Sequence, residues 1–524
     1  MQFLLLKSSC YSFSALPEPH YQPLKKIHMK HFSWALSLGA CAAWILTSFC
    51  TSNTPKKITD IPVTTSSDSA KAAFEQGLKL VDQNDYLTSR PYFAKAIELD
   101  PKISPAYIFR IFTDFTLDER LADLKNAKDA IDTAKSSEWE ILYTEFYSSF
   151  FKADYKSRLE IAKKIAADYP DAARAQADLG STYLNGNEFG KARECYQKAV
   201  ALDSTWPGGY LDLVNLYEFY DPKNFKLAEL NAEKLAALAP ASPGAQVTLG
   251  DCYRAENELD KARNAYTKCL QLDSTSRDAY YKLGHVSAFL GKYEEARKSY
   301  GQAVKFDKTQ SVYIVSCANS YLYAGDYKMA LEFLYEQIAK IDSSGESASA
   351  RDGDKYDAYS AGVQISFHCN QPEALKEFSD RLAPISDAMA KQVGTPEAKA
   401  VYRAETWSNE ALFAVLKGKY DEAAAKAVLA KKSLDSITEP NHLNTYYFVL
   451  GQIAMRQKKY TDAIENFGKT DLSSVYNKYW LALANEMAGN KDKAQSLYQD
   501  IVNYNFDDTN YALFRNEVRK KLNM

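Results

Sequence analysis

Apolar and small residues recur along most of the chain at spacings of three and four, the period of an amphipathic helix, and the phrase they write repeats itself. Leu179-Gly180-x-x-Tyr183, followed by Phe189, Ala192, Tyr196 and Ala199, returns as Leu249-Gly250-x-x-Tyr253, followed by Leu259, Ala262 and Tyr266. A third copy reads Leu283-Gly284 with Tyr293, Ala296, Tyr300 and Ala303. Gly250 and Gly284 stand 34 residues apart, as do Ala262 and Ala296, or Tyr266 and Tyr300. A fixed period of this length predicts one helical hairpin repeated and stacked into an all-α solenoid, each unit burying its apolar stripe against the next.

The first hairpin is expected over 70–103, with Gly77, Phe93, Ala96 and a closing Asp100-Pro101. Stretches 104–137 and 138–170 keep the helical period but carry a degenerate phrase. Clear units follow at 173–206, 207–242, 243–276, 277–310 and 311–344, completing an N-terminal array over 70–344. The unit at 207–242 has two extra residues at its inter-helix turn, around Asp221-Pro222. Ser343-Ser344-Gly345-Glu346-Ser347 breaks the pattern, so 345–354 is expected to be a linker. A second array over 355–505 reads as units near 355–388, 404–437, 444–474 and 475–505. Residues 506–524 alternate apolar and basic side chains at helical spacing, which predicts a capping helix over the last apolar face.

On these glycines, tyrosines and alanines the chain resembles the tetratricopeptide repeat (TPR) family over most of 70–505. The resemblance implies a right-handed superhelix of antiparallel helix pairs, with small residues at the eighth, twentieth and twenty-seventh positions of each unit. Gly180, Gly250, Gly284 and Gly451 occupy the eighth. Glycine inside a helix costs roughly 1 kcal/mol against alanine, so its presence there points to a helix contact too close for a larger side chain.

The resemblance also implies a concave groove lined by the first helix of each unit, where partners lie. The ninth position of the clear units holds Ser181, Asn215, Asp251, His285 and Asn319, and nearby groove positions hold Leu211, Phe219, Tyr281, Phe289 and Tyr323. Polar side chains spaced along a groove can hydrogen-bond the backbone of an extended peptide, with the aromatic positions receiving its apolar side chains. The plainer reading is that solvent-facing positions are polar and aromatics at helical spacing pack. The lysine–asparagine pairs with which some TPR proteins clamp a terminal carboxylate are absent, the matching pairs being Leu211/Asn215, Tyr281/His285 and Val315/Asn319.

At the N-terminus, Phe32 to Phe49 is an uncharged apolar run preceded by Lys25, Lys26 and Lys30 and followed by a Ser/Thr-rich stretch. Basic flank, apolar core and polar exit make a secretory signal, with a retained anchor as the alternative. Residues 1–50 therefore read as an upstream extension plus signal, translation starting at Met29, and 51–69 as a flexible tether. Leu38-Gly39-Ala40-Cys41 resembles a bacterial lipobox, whereas Cys50 ends the apolar core and precedes the polar stretch. Cys50 is the favoured lipidation site and Cys41 the alternative. The C-terminal tail resembles the ending of some exported bacterial TPR lipoproteins.

Composition narrows the function. With 46% hydrophobic residues, 25% charged and a net charge of −3, the chain describes a folded body with no basic footprint for nucleic acid. Its eight cysteines form no CxxC pair, and the five beyond Cys50, on predicted helices, read as small buried hydrophobes. Only His285, His368 and His442 lie beyond the N-terminal region, none in an HExxH pattern, so no metal, cofactor or catalytic residue is expected. The expected function is a non-catalytic, membrane-tethered scaffold of a bacterial envelope, periplasmic or outer-membrane-associated, holding a protein or extended segment in its groove. Alternatives are an assembly subunit docking a membrane complex through its outer faces, or a carbohydrate-processing accessory enzyme with its site in 104–170 or 345–403.

Overall fold

A computed structural model describes residues 58–220, 222–503 and 505–524. The apolar run at 32–49, Met29, Cys41, Cys50, Asp221 and residues 51–57 of the expected tether lie outside the described residues. Among the described residues there are 25 α-helices and no strand, and no helix is long and apolar enough to cross a membrane.

The helices pair along the chain. Hairpins α1–α2 (Asp68–Val81, Tyr86–Leu99), α3–α4 (Ser104–Ile111, Leu117–Ala130) and α5–α6 (Glu138–Phe151, Tyr155–Asp168) come first. The five clear repeats follow as α7–α8 (Ala173–Asn185, Phe189–Leu202), α9–α10 (Pro207–Phe219, Phe225–Leu238), α11–α12 (Pro243–Ala255, Leu259–Leu272), α13–α14 (Arg277–Phe289, Tyr293–Ala303) and α15–α16 (Ser311–Tyr323, Tyr327–Asp342). Beyond them lie α17–α18 (Ala348–His368, Pro372–Val393), α19–α20 (Pro396–Leu416, Tyr420–Ser433), α21–α22 (Asn444–Arg456, Tyr460–Phe467), α23–α24 (Val475–Met487, Lys491–Val502) and a last helix, α25 (Thr509–Lys521).

One contact recurs inside these hairpins. A Cβ placed on Gly77 would lie 2.7 Å from the Phe93 ring, on Gly180 2.7 Å from Tyr196, and on Gly362 2.5 Å from Phe378. Gly250, Gly284 and Gly451 meet Tyr266, Tyr300 and Phe467 in the same way. Each aromatic is almost wholly buried, so the ring sits against the backbone of the opposite helix and leaves no room there for a Cβ. The eighth-position glycine and the twenty-fourth-position ring form one packing device.

Three sequence expectations change. The Ser/Gly run is no linker over 345–354: α17 begins at Ala348, and the Ser347 side chain accepts from the backbone of Ala350 as its N-cap. Asp354, 1% exposed, sits inside that helix and accepts from the backbone N–H groups of Gln310 and Ser311, both at 2.8 Å, capping the start of α15. The gap between the units read at 355–388 and 404–437 is filled by helix, because α17, α18 and α19 run to 21, 22 and 21 residues.

Nor is the end of the tether free of contacts. Ile61 is buried, the Thr64 N–H and hydroxyl both donate to Glu140 (2.7 and 2.5 Å), and Asp60 pairs with Arg174 at 2.7 Å. The segment before α1 thus crosses the first turns of α5 and α7, while Asp68 and Ser69 already belong to α1.

The superhelix also closes on itself. Asp85, in the turn after α1, accepts from Ser242 Oγ and from the Gly244 N–H, each at 2.6 Å, and Asn84 donates to Thr248 at 3.0 Å. Farther along, Arg158 of α6, fully buried, pairs with Glu439 beyond α20 at 2.8 Å. Phe115, in the α3–α4 turn, is faced by Lys308 and Arg277 at 5.2 and 5.7 Å from its ring centre. Early units therefore brace later ones.

Candidate functional site

The groove is built by the first helices of the repeats, and its ninth-position residues prove to be tied to the second helices. A buried tyrosine needs a partner for its hydroxyl. Tyr196 finds Ser181 at 3.0 Å, Tyr266 donates to Asp251 at 2.7 Å, and Tyr300 lies 3.0 Å from His285 Nδ1. Those three ladder residues hold the ring that lies on each unit's glycine. The unit at 311–344 has Leu334 where those three carry tyrosine, and there Asn319 turns to another partner. Asn215 and Phe219 are half-buried, while Leu211, Tyr281, Phe289 and Tyr323 are buried.

The other partner is the chain's own tail. After α24 the backbone turns through Asn505, at φ 44°, and re-enters the groove. The Phe506 ring packs on Phe219 with centroids 4.7 Å apart, and the Arg254 guanidinium sits 4.7 Å from the centre of the Phe506 ring. Asp507 accepts from Asn319 Nδ2 at 3.3 Å and lies 3.4 Å from His285 Nδ1. Asp508 caps α25, which then packs along α15: Arg515 lies 5.1 Å from the Phe289 ring centre and Asn516 donates to the Tyr323 carbonyl at 2.7 Å. At the end of the array α25 lies against the last hairpin, with Lys521 paired to Glu486 at 2.8 Å and Phe514 stacked on Tyr479 at 4.5 Å. It also fills the groove, which the sequence did not suggest.

Charge in this region is layered. Asp251 receives Arg254 at 3.0 Å and Lys282 at 3.1 Å. Burial pushes its carboxyl up, but the two cations and the tyrosine outweigh that and hold it below the usual range. Burial, reinforced by Arg254 and Lys282, holds the His285 imidazole well below its ordinary range, so it is neutral and its contact with Asp507 is no ion pair. Burial pushes Asp507 up to about 6, with Asn319 and Tyr323 pulling the other way.

A second cluster lies under the N-terminal segment. Arg174 pairs with Asp60 and, at 2.9 Å, with Asp82. Burial pushes Asp82 up to about 6 and Asp178 up to about 7, and holds Asp212 well above the usual carboxylate range, with the neighbouring carboxylates adding to the rise and Arg174 opposing it. Between α4, α15 and α17 a cavity of about 60 Å³ is lined by Asp114, Arg120, Arg277, Ser311 and Asp354. Among the described residues no group of three or more His, Cys, Asp or Glu is placed to hold a metal ion. Cys195, Cys252, Cys269, Cys317 and Cys369 are free thiols, three of them buried and two half-buried.

Comparison with known proteins agrees with the repeat. The model for anaphase-promoting complex, cyclosome, subunit 3 matches residues 221–303, and tetratricopeptide-repeat models match 173–205 and 476–505. Anaphase-promoting complex subunit 3 of Schizosaccharomyces pombe is 23% identical over 235 residues, 38% of this chain and 35% of that protein. Protein O-mannosyl-transferase TMTC3 of Homo sapiens is 25% identical over 178 residues, 31% of this chain and 19% of that protein. The chain thus spans about a third and about a fifth of these curated relatives. Among solved structures, a thermophilic TPR protein of Thermus thermophilus is 19% identical (TM-score 0.32; 35% of this chain, 99% of that one). MamA is 25% identical (TM-score 0.27; 31% and 93%). With repeat matches in the first half and at the end of a continuous array of helical hairpins, this chain is a tetratricopeptide-repeat protein, and its fold is that of a protein-interaction scaffold.

Proposed function

We propose that the chain is a non-catalytic interaction scaffold, exported and tethered to a membrane through its N-terminal segment, that holds an extended protein segment in its groove. The observation that carries this reading is that the inner surface already grips two stretches of its own chain, 60–65 and 506–516. A surface that satisfies backbone N–H groups, seats an aromatic ring and accepts a carboxylate has the chemistry to hold a segment of another protein. The uncharged run at 32–49, with its basic flank, supports export; lipidation at Cys50, or at Cys41, would supply the tether.

A second reading, an assembly subunit docking through its outer faces, is favoured by Leu227, Leu230 and Leu238 on α10, which are 36%, 47% and 37% exposed. Isolation from native membranes in mild detergent, with an affinity handle after Met524, tests both. The proposal expects a membrane-fraction protein whose mature N-terminus is a lipid-modified cysteine and which carries a stoichiometric partner. Recovery from the soluble fraction alone and unaccompanied would contradict it. Loss of the partner on replacing Leu227, Leu230 and Leu238 together by Ser would favour the outer face.

A further inference from the structure

The tail identifies what the central groove accepts. Phe506 enters a slot formed by the Phe219 ring and the Arg254 guanidinium. That arginine is fully buried and oriented from below: Asp251 holds it at 3.0 Å, and Lys282 and Tyr266 hold Asp251 in turn. A guanidinium fixed over a ring selects an aromatic side chain rather than an aliphatic one. The next residue, Asp507, reaches the ring of His285 and the amide of Asn319, one and two repeats beyond Arg254. Adjacent residues of the tail are thus read by four successive units, from α9 to α15.

We propose that this part of the groove is a recognition site for an aromatic residue followed by an aspartate in an extended protein segment, occupied in cis by Phe506–Asp507 and opened to a partner segment of the same chemistry when the tail lifts. The inference rests on the scaffold reading and names the partner's chemistry within it.

Two features separate this arrangement from a simple end-cap. A cap over an apolar face needs apolar side chains, yet this one carries a carboxylate into the groove, where burial is costly. Asp507 meets the Asn319 amide at 3.3 Å and the neutral His285 ring at 3.4 Å, longer than the 2.7, 3.0 and 3.1 Å at which Tyr266, Arg254 and Lys282 hold Asp251. Burial pushes the Asp507 carboxyl up to about 6. The tail's acid thus sits in longer contacts than the site's own acid, and a partner's aspartate can take over the same amide and imidazole. The helix that follows is anchored separately, through Phe514 on Tyr479 and Lys521 on Glu486, so the Phe-Asp step can leave without unfolding α25.

The test uses the full chain and a blocked synthetic peptide carrying residues 500–512. The double variant F506A/D507N, with its own tail residues removed from the slot, should bind the peptide about tenfold or more tightly than the unaltered chain does. A peptide with the same two substitutions should not bind, and adding Asn319→Ala and Phe219→Ala to the variant should abolish binding. A folded variant that binds neither peptide, or both alike, overturns the proposal. Should the variant lose its helical circular dichroism, the unaltered chain decides. Excess native peptide should then speed amide exchange at residues 505–510, and unchanged exchange overturns the proposal. Peptide binding without any partner in the membrane isolation would sink the scaffold reading alone. A partner recovered equally by the unaltered chain and by N319A/F219A, with no peptide binding, would sink the inference alone.

Discussion

Phe506 and Phe219 meet with ring centroids 4.7 Å apart, so the last turn before the final helix touches the end of α9 across the hollow of the superhelix. Phe506 is 2% exposed and Arg254, over its face, is fully buried. The pair converts an open groove into a closed one and makes the tail a part of the central repeats rather than an appendage of the last.

Truncating that ring should therefore be felt where the tail docks and not at the start of the array. Phe506→Ala is expected to cost roughly 3 kcal/mol, the usual scale for a buried phenylalanine. Because a solenoid couples mainly nearest neighbours, amide exchange should rise in 505–516 and on α15 while α1 and α2 keep their protection. A uniform loss of protection along the whole chain would show that the tail holds the entire superhelix.

The glycine–ring device gives a prediction of opposite sign to helix propensity. In an open helix, Gly→Ala stabilises by roughly 1 kcal/mol. At Gly250, where a Cβ would run into the Tyr266 ring, Gly250→Ala should instead destabilise, by about 1–3 kcal/mol. The control is Gly190, on the outer helix α8, where a Cβ meets nothing within 4 Å; Gly190→Ala should raise the thermal midpoint. Equal signs at the two sites would mean that the repeat register is wrong.

Tyr266→Phe removes a hydroxyl and leaves the ring. Asp251 would lose its 2.7 Å donor while keeping Arg254 and Lys282. The expected cost is about 1–2 kcal/mol, measured by urea denaturation. If the ninth position served only a ligand, the variant would be as stable as the parent.

This coupling shows what is legible in the sequence and what is not. The repeat is legible because its main contact is local: each glycine meets an aromatic half a unit later. The role of the ninth position is written in the second helices. Ser181, Asp251 and His285 sit in units with Tyr196, Tyr266 and Tyr300, whereas Leu78 and Val363 sit in units with Phe93 and Phe378, rings without a hydroxyl. Gln452, opposite Phe467, departs from that rule. The Ser/Gly run before α17 reads as a linker because serine serves both loops and N-caps, and its choice depends on Asp354 reaching α15. The tail is illegible for a different reason. Its partners lie in repeats far away in the chain, and no local period connects Asp507 to Asn319.

Buried carboxylates give the fold a pH dependence. Burial pushes Asp178 and Glu405 up to about 7, and Asp82 and Asp507 up to about 6; carboxyls in an unfolded chain titrate near 4. The folded chain thus binds these protons more tightly, so the stability they contribute is present at low pH and is lost as pH rises through about 6 to 7. His285 and His368, held neutral by burial, act oppositely, but only as pH falls below about 6.5. The thermal midpoint should accordingly be higher at about pH 6.5 than at pH 8.5, by on the order of 1 °C. A midpoint that rises with pH over that range would contradict the burial of Asp178 and Glu405.

The most direct measurement is a photo-cross-link from the tail. With p-benzoyl-L-phenylalanine placed at position 506 of the full chain, irradiation and peptide mapping should join residue 506 to the α9–α11 peptides that carry Phe219 and Arg254, within one chain. Cross-links confined to α23 and α24, or none at all, would contradict the occupied groove on which this account turns.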